Sequence, residues 1–162
     1  MFNPKGQLPD MTSAELAEKI LSTPGIEGVS FLGGEPTEWA EELCEVVSLV
    51  RERSGLTFML YTGHYLPELS GKALELAMAC DVVVEGRYDK SKPESERPRP
   101  RRWIGSWNQN LIFNTNRYSE IDFSGSNTVE LRIENGKVTL SGWPGAISFY
   151  RKARASDDHT SR

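Results

Sequence analysis

Three short, nearly continuous apolar runs, each ending on a glycine turn, constrain this chain more than any other feature. They are Gly28-Val29-Ser30-Phe31-Leu32, Leu56-Thr57-Phe58-Met59-Leu60-Tyr61 and Asp81-Val82-Val83-Val84-Glu85. Helical patterns separate them. From Pro36 to about Arg53, Trp39, Leu43, Val46, Val47 and Val50 recur at three- and four-residue intervals, and Leu66, Leu69, Leu74, Leu76 and Met78 form a second such stripe. Apolar strands without polar alternation need both faces covered. Alternating with amphipathic helices, they predict an α/β fold with a parallel sheet and right-handed crossovers. Ligands of such sheets collect beyond the carboxyl ends of the strands. Gly33 to Pro36, Tyr61 to His64 and Glu85 to Arg87 fall there, giving three candidate site loops on one rim.

The flanks are less regular. Thr12 and Glu15 stand at capping-box spacing ahead of Leu16, Ile20 and Leu21, and Thr23-Pro24-Gly25 closes that helix. Residues 87–102 hold seven basic and three acidic residues with Pro93, Pro98 and Pro100, which predicts an exposed, partly extended loop, solvated or docking an acidic partner. Order resumes at Trp103. Two alternating runs, Thr128 to Ile133 and Lys137 to Leu140, flank Glu134-Asn135-Gly136 and predict a β-hairpin. One domain over 1–150 and a solvated tail over 151–162 follow, a length that buries about two-thirds of the unfolded surface.

Charge and cysteine content exclude several functions. The net charge of −4 draws the whole chain to neither nucleic acid nor an anionic membrane. The basic loop carries only Tyr88 among aromatics, too few for stacking on RNA. No apolar run approaches the roughly 20 residues of a membrane span, and Met1 to Asp10 lacks the apolar core of a signal peptide, so the expected location is cytoplasmic. Cys44 and Cys80 are too few and too far apart for a zinc or iron–sulfur site. His64 and His159 have no ligand partners nearby in sequence. No residue is assigned a catalytic or metal-binding role from spacing alone.

The Gly33-Gly34-Glu35-Pro36 turn carries the clearest chemistry. Two glycines let backbone approach a ligand without Cβ interference, and Glu35 adds a carboxylate, an arrangement that suits an ammonium group. Equally, the glycines can simply make a tight turn while Glu35 favours the following helix N-terminus. Glu85 has a similar pair of readings, as a ligand contact or as an acid capping a strand end in water.

Phe31-Leu32-Gly33-Gly34-Glu35-Pro36 resembles the motif of radical S-adenosylmethionine enzymes, in the branch of small activases for glycyl radical enzymes and anaerobic ribonucleotide reductase. Phe2-Asn3-Pro4, Tyr61-Thr62-Gly63-His64, Asp81 to Arg87 and Gly105-Ser106-Trp107-Asn108-Gln109 resemble further family segments in the same order. The similarity spans Phe2 to about Ile112. It implies a partial TIM-barrel with a C-terminal hairpin. It also implies that Gly33, Gly34, Glu35 and Pro36 hold the methionyl amino group of S-adenosylmethionine. Thr62 would then lie beside the ribose or methionyl portion, and Arg87, with Glu85 near it, would pair with the methionyl carboxylate.

In that family three cysteines spaced C-x3-C-x2-C hold a 4Fe–4S cluster, and Met1 stands where the third would be. The expectation is therefore a shortened chain lacking about one βα segment, inactive by itself. In complete form it would cleave S-adenosylmethionine reductively and place a glycyl radical on a partner. That partner would be a glycyl radical enzyme or the large subunit of anaerobic ribonucleotide reductase, with flavodoxin or ferredoxin as electron donor. The alternative is a cluster-free binding or regulatory module that keeps the rim. The two predict different upstream sequence.

Overall fold

A computed structural model describes residues 11–125, 129–134 and 137–142. Phe2-Asn3-Pro4 and the tail with His159 lie outside the described residues. Helix α1 spans Ser13–Leu21, and the capping box forms as the sequence predicts: the Thr12 hydroxyl accepts from the Glu15 N–H while the Glu15 carboxylate accepts from the Thr12 N–H. Strand β1 (Gly28–Phe31) leads into a 3-10 turn at Pro36–Trp39 and helix α2 (Ala40–Arg51). Strand β2 (Thr57–Thr62) leads into a second 3-10 turn, Leu66–Glu68, and helix α3 (Gly71–Ala79). Strand β3 is Val82–Glu85 and β4 is Asn110–Phe113. Both helical stretches thus begin as 3-10 turns, and the first leaves Trp39 64% exposed rather than on the buried face.

The sheet order is β1-β2-β3-β4. β1 and β2 are parallel, with Phe31 opposite Leu60, and β2 and β3 are parallel, with Thr62 opposite Glu85. β4 runs antiparallel to β3, so the sheet is mixed rather than wholly parallel. The reason lies in residues 86–109. Apart from one 3-10 turn at Glu94–Glu96 they contain no α-helix to carry the chain back across the sheet. Instead they fold on themselves, with the Glu94 N–H bonded to the Gly105 carbonyl and the Trp107 N–H to the Lys92 carbonyl. The chain re-enters the sheet at the end where β3 left it, and the next strand must run the other way.

Phe31, Phe58, Leu60 and Val83 meet Val46, Val47, Val50, Leu76 and Ala77 in the core under the helices. On the opposite face Ser30, Met59 and Tyr61 share a cleft of about 390 Å³ with Trp103, Tyr118 and Phe123. Asp81 ties the start of β3 to its surroundings. Its buried carboxylate accepts from the Phe58 N–H at 2.8 Å, the Thr115 hydroxyl at 2.9 Å and Arg51 Nη2 at 3.1 Å. Strands β5 (Val129–Glu134) and β6 (Lys137–Gly142) pair antiparallel, the hairpin that the sequence predicts.

The stretch 87–102 is the mostly exposed loop that the sequence predicts, with one residue buried within it. It is anchored by Glu94, whose side chain is 1% exposed and bonds Arg101 Nε at 2.8 Å and Nη2 at 2.7 Å. Charge density made the stretch look solvated, but one oppositely charged pair within it is turned inward. No helix among the described residues is long and apolar enough to cross a membrane.

Candidate functional site

The parallel register sets the strand ends side by side, and Glu35 exploits this. It caps the Pro36–Trp39 turn from an extended backbone (φ −124°), with Oε1 accepting from the Thr37 N–H at 3.2 Å and the Thr37 hydroxyl at 2.7 Å. The same oxygen accepts from the Thr62 hydroxyl at 2.9 Å, and Oε2 accepts from the Gly63 N–H at 2.9 Å. One carboxylate therefore stitches the end of β1 to the end of β2. The turn-forming reading of the sequence holds: Glu35 caps the following turn, and its carboxylate also lies at the strand ends.

Three of the four bonds fall on Oε1, so Oε2 keeps a free lone pair. Partial burial raises the Glu35 carboxyl, but the bonds from Gly63, Thr37 and Thr62 outweigh it and hold the group below 4.5. It is ionised at neutral pH. Gly33 and Gly34 lie in the left-handed region (φ 84° and 54°), where a side chain would be strained, and a Cβ on either would meet no atom within 4 Å. The turn therefore presents glycine backbone to open space, with a fixed, partly buried anion beside it. Pro36, behind it, is buried. Leu32, just before the glycines, is 66% exposed.

A pH dependence follows. Because the folded carboxyl titrates below 4.5, its bonds add stability that is complete above that value and is lost as pH falls through the depressed one. The gap in thermal midpoint between the native protein and Glu35→Gln should be constant near neutrality and close under more acidic conditions. A gap unchanged into strong acid would contradict the ionised assignment.

Thr62 is buried, its hydroxyl also accepting from the His64 N–H at 3.1 Å. Glu85 is buried too, and not in water as one reading of the sequence had it: Oε1 accepts from Asn110 Nδ2 at 2.7 Å and Oε2 from the Leu66 N–H at 2.6 Å. Arg87 is largely exposed, with Nη1 3.5 Å from Glu68 Oε1. Glu68 also lies 3.8 Å from His64 Nδ1 and accepts from the Tyr65 N–H. The predicted residues thus form two groups, Glu35 with Thr62, and Glu85 with Arg87 one strand over.

Sequence reasoning gave no role to the side chains that fix this second group. Three consecutive amides reach three consecutive rim residues: Asn108 Nδ2 to the Arg87 carbonyl at 2.8 Å, Gln109 Nε2 to the Gly86 carbonyl at 3.0 Å, and Asn110 to the Glu85 carboxylate. Gln109 Oε1 accepts in turn from the Gly105 and Ser106 N–H groups. The run of three consecutive amides, Asn108-Gln109-Asn110, was the available signal.

Cys44 and Cys80 do not fit an iron–sulfur cluster. Cys44 is half-buried on α2, its thiol 3.9 Å from the Lys72 carbonyl. Cys80 is fully buried before β3, and burial pushes its thiol up to about 12. Among the described residues no group of three or more His, Cys, Asp or Glu side chains is placed to hold a metal.

A family model described as a 4Fe-4S single cluster domain matches residues 2–112. The anaerobic ribonucleoside-triphosphate reductase-activating protein of Enterobacteria phage T4 is 33% identical over 113 residues, which cover 68% of this chain and 68% of that protein. No solved structure matches the chain significantly.

Proposed function

The chain belongs to the 4Fe-4S single cluster domain family, and from that premise we propose that it is an activating-protein relative whose rim grips the methionyl head of S-adenosylmethionine. Its partner is an anaerobic ribonucleotide reductase, the enzyme type named in its phage relative. The observation that carries the reading is Glu35: a half-buried, ionised carboxylate with one oxygen lone pair to spare, fixed beside two glycines that leave open space. An ammonium group is the ligand that this arrangement suits, since a charge-assisted bond to a preorganised carboxylate costs no rearrangement. Arg87, exposed and 3.5 Å from Glu68, is the cation available to the methionyl carboxylate. Thr37, Thr62 and Gly63 hold Glu35 in place. Asn108, Gln109 and Asn110 hold the Glu85–Arg87 loop.

In the radical S-adenosylmethionine enzymes that the sequence resembles, S-adenosylmethionine is the source of a 5′-deoxyadenosyl radical. The thiolates that such chemistry requires are not supplied by Cys44 and Cys80, so our reading assigns this chain the binding rim and not the cluster. A partial barrel is the architecture it implies. Helices on one sheet face and an aromatic-walled cleft on the other support that view.

Calorimetric titration tests the ligand. S-adenosylmethionine should bind, and its analogue with hydroxyl in place of the amino group should bind at least about tenfold more weakly, the worth of one hydrogen bond to a charged group. Glu35→Gln should erase the difference between the two ligands. Equal binding of both ligands to the native protein, or discrimination that survives in Glu35→Gln, would refute the role given to Glu35.

A further inference from the structure

Among the described residues the outer edge of β4 is unpaired, and it borders a basic groove. β4 ends the sheet order, so among the described residues no strand covers its far side. Two bonds fix which backbone groups point that way. The Asn114 N–H donates to the Asp81 carbonyl at 3.0 Å, toward β3, whereas the Gln109 carbonyl accepts from Arg101 Nη1 at 2.9 Å, away from β3. Backbone direction alternates along a strand, so Asn110 and Ile112 face β3 and Leu111 and Phe113 face outward. Each of the latter presents one N–H and one C=O that no described residue satisfies.

This edge borders a groove of about 790 Å³, lined by Arg97, Arg99, Arg101, Glu120 and Phe123 among others. Arg101 is neutralised by the buried Glu94. Arg97 is 3.7 Å from the same carboxylate and 44% exposed, and Arg99 makes no ion pair with any described residue. The groove is therefore positive on a chain whose net charge is −4. The Glu94–Arg101 pair keeps it in shape, since it holds the arginine-bearing loop against β4.

We propose that β4 accepts an extended acidic segment of a partner protein as an added strand. Backbone bonds to Leu111 and Phe113 supply the pairing, and Arg97 and Arg99 select acidic side chains. The inference is independent of the rim and of S-adenosylmethionine.

Fluorescence anisotropy with a labelled, capped seven-residue peptide of alternating Glu and Val tests it. The peptide should bind the native protein at least about tenfold more tightly than its Lys–Val counterpart, or than a version N-methylated on its pairing edge. Arg99→Glu, at the arginine that makes no ion pair with any described residue, should sharply reduce that preference without changing the thermal midpoint or the titration with S-adenosylmethionine. Equal binding of the acidic and basic peptides, insensitivity to N-methylation, displacement by inorganic phosphate alone, or self-association of the protein through this edge would each overturn the proposal.

Discussion

Replacing Glu94 with alanine is expected to remove about 3–5 kcal/mol of folding stability, the usual cost of breaking a buried ion pair from one side. The Glu94 carboxylate is 1% exposed and its partner Arg101 is 19% exposed. Burial by itself raises the Glu94 carboxyl, but the bonds and charge of Arg101, with Arg97 beyond, hold it low and ionised. Without the carboxylate, the Arg101 guanidinium is left with backbone carbonyls of Gln109 and Trp107 as its hydrogen-bond partners. Its charge is then buried without compensation. Glu94→Gln should cost less, because it keeps the volume and one acceptor. Denaturant unfolding measures both, and a loss under about 1 kcal/mol for the alanine variant would mean that the pair is held mainly by its surroundings. The effect should also travel. Arg101 also bonds the Gln109 carbonyl, between Asn108 and Asn110, so amide exchange in Gly86 should quicken more than in β1.

Anaerobic treatment of the 162-residue chain with iron, sulfide and thiol is expected to yield neither the visible absorption nor the electron paramagnetic signal of a 4Fe–4S cluster. The argument is chemical. A cysteine binds cluster iron as its thiolate, and Cys80 has no exposure, with burial pushing its thiol up to about 12 and keeping iron from reaching it. Cys44 is raised as well, by burial first, with Lys72 lowering and Glu75 raising it further. Two such thiols on different elements cannot replace three converging ones. A stoichiometric cluster on this chain would refute that assignment, and with it the division between rim and cluster.

How much of this the residues disclose depends on the range of the interaction. Thr12 with Glu15, and the apolar runs that become β1, β2 and β3, are local signals and were legible. Glu35 was legible as a rim carboxylate because its glycines mark the turn. Its bonds to Thr62 and Gly63 were not, since they depend on the register that sets Phe31 against Leu60. The reversal of β4 was hidden for a similar reason. It follows from a loop closed by Glu94 and Arg101, and in sequence those two are simply charges among many. Glu85 misleads in the opposite way, an acid at a strand end whose burial becomes clear only once Asn110 and the Leu66 N–H are found beside it.

The central claim is that the Glu35 turn receives a ligand ammonium, and amide chemical-shift mapping with S-adenosylmethionine tests it most directly. The Gly63 and Thr37 amides donate to the carboxylate that would take the new bond. They and Gly34 should shift in a saturable way, and the deaminated analogue should leave them unmoved. Saturable shifts confined to other strand ends, or identical shifts with both ligands, would contradict the account.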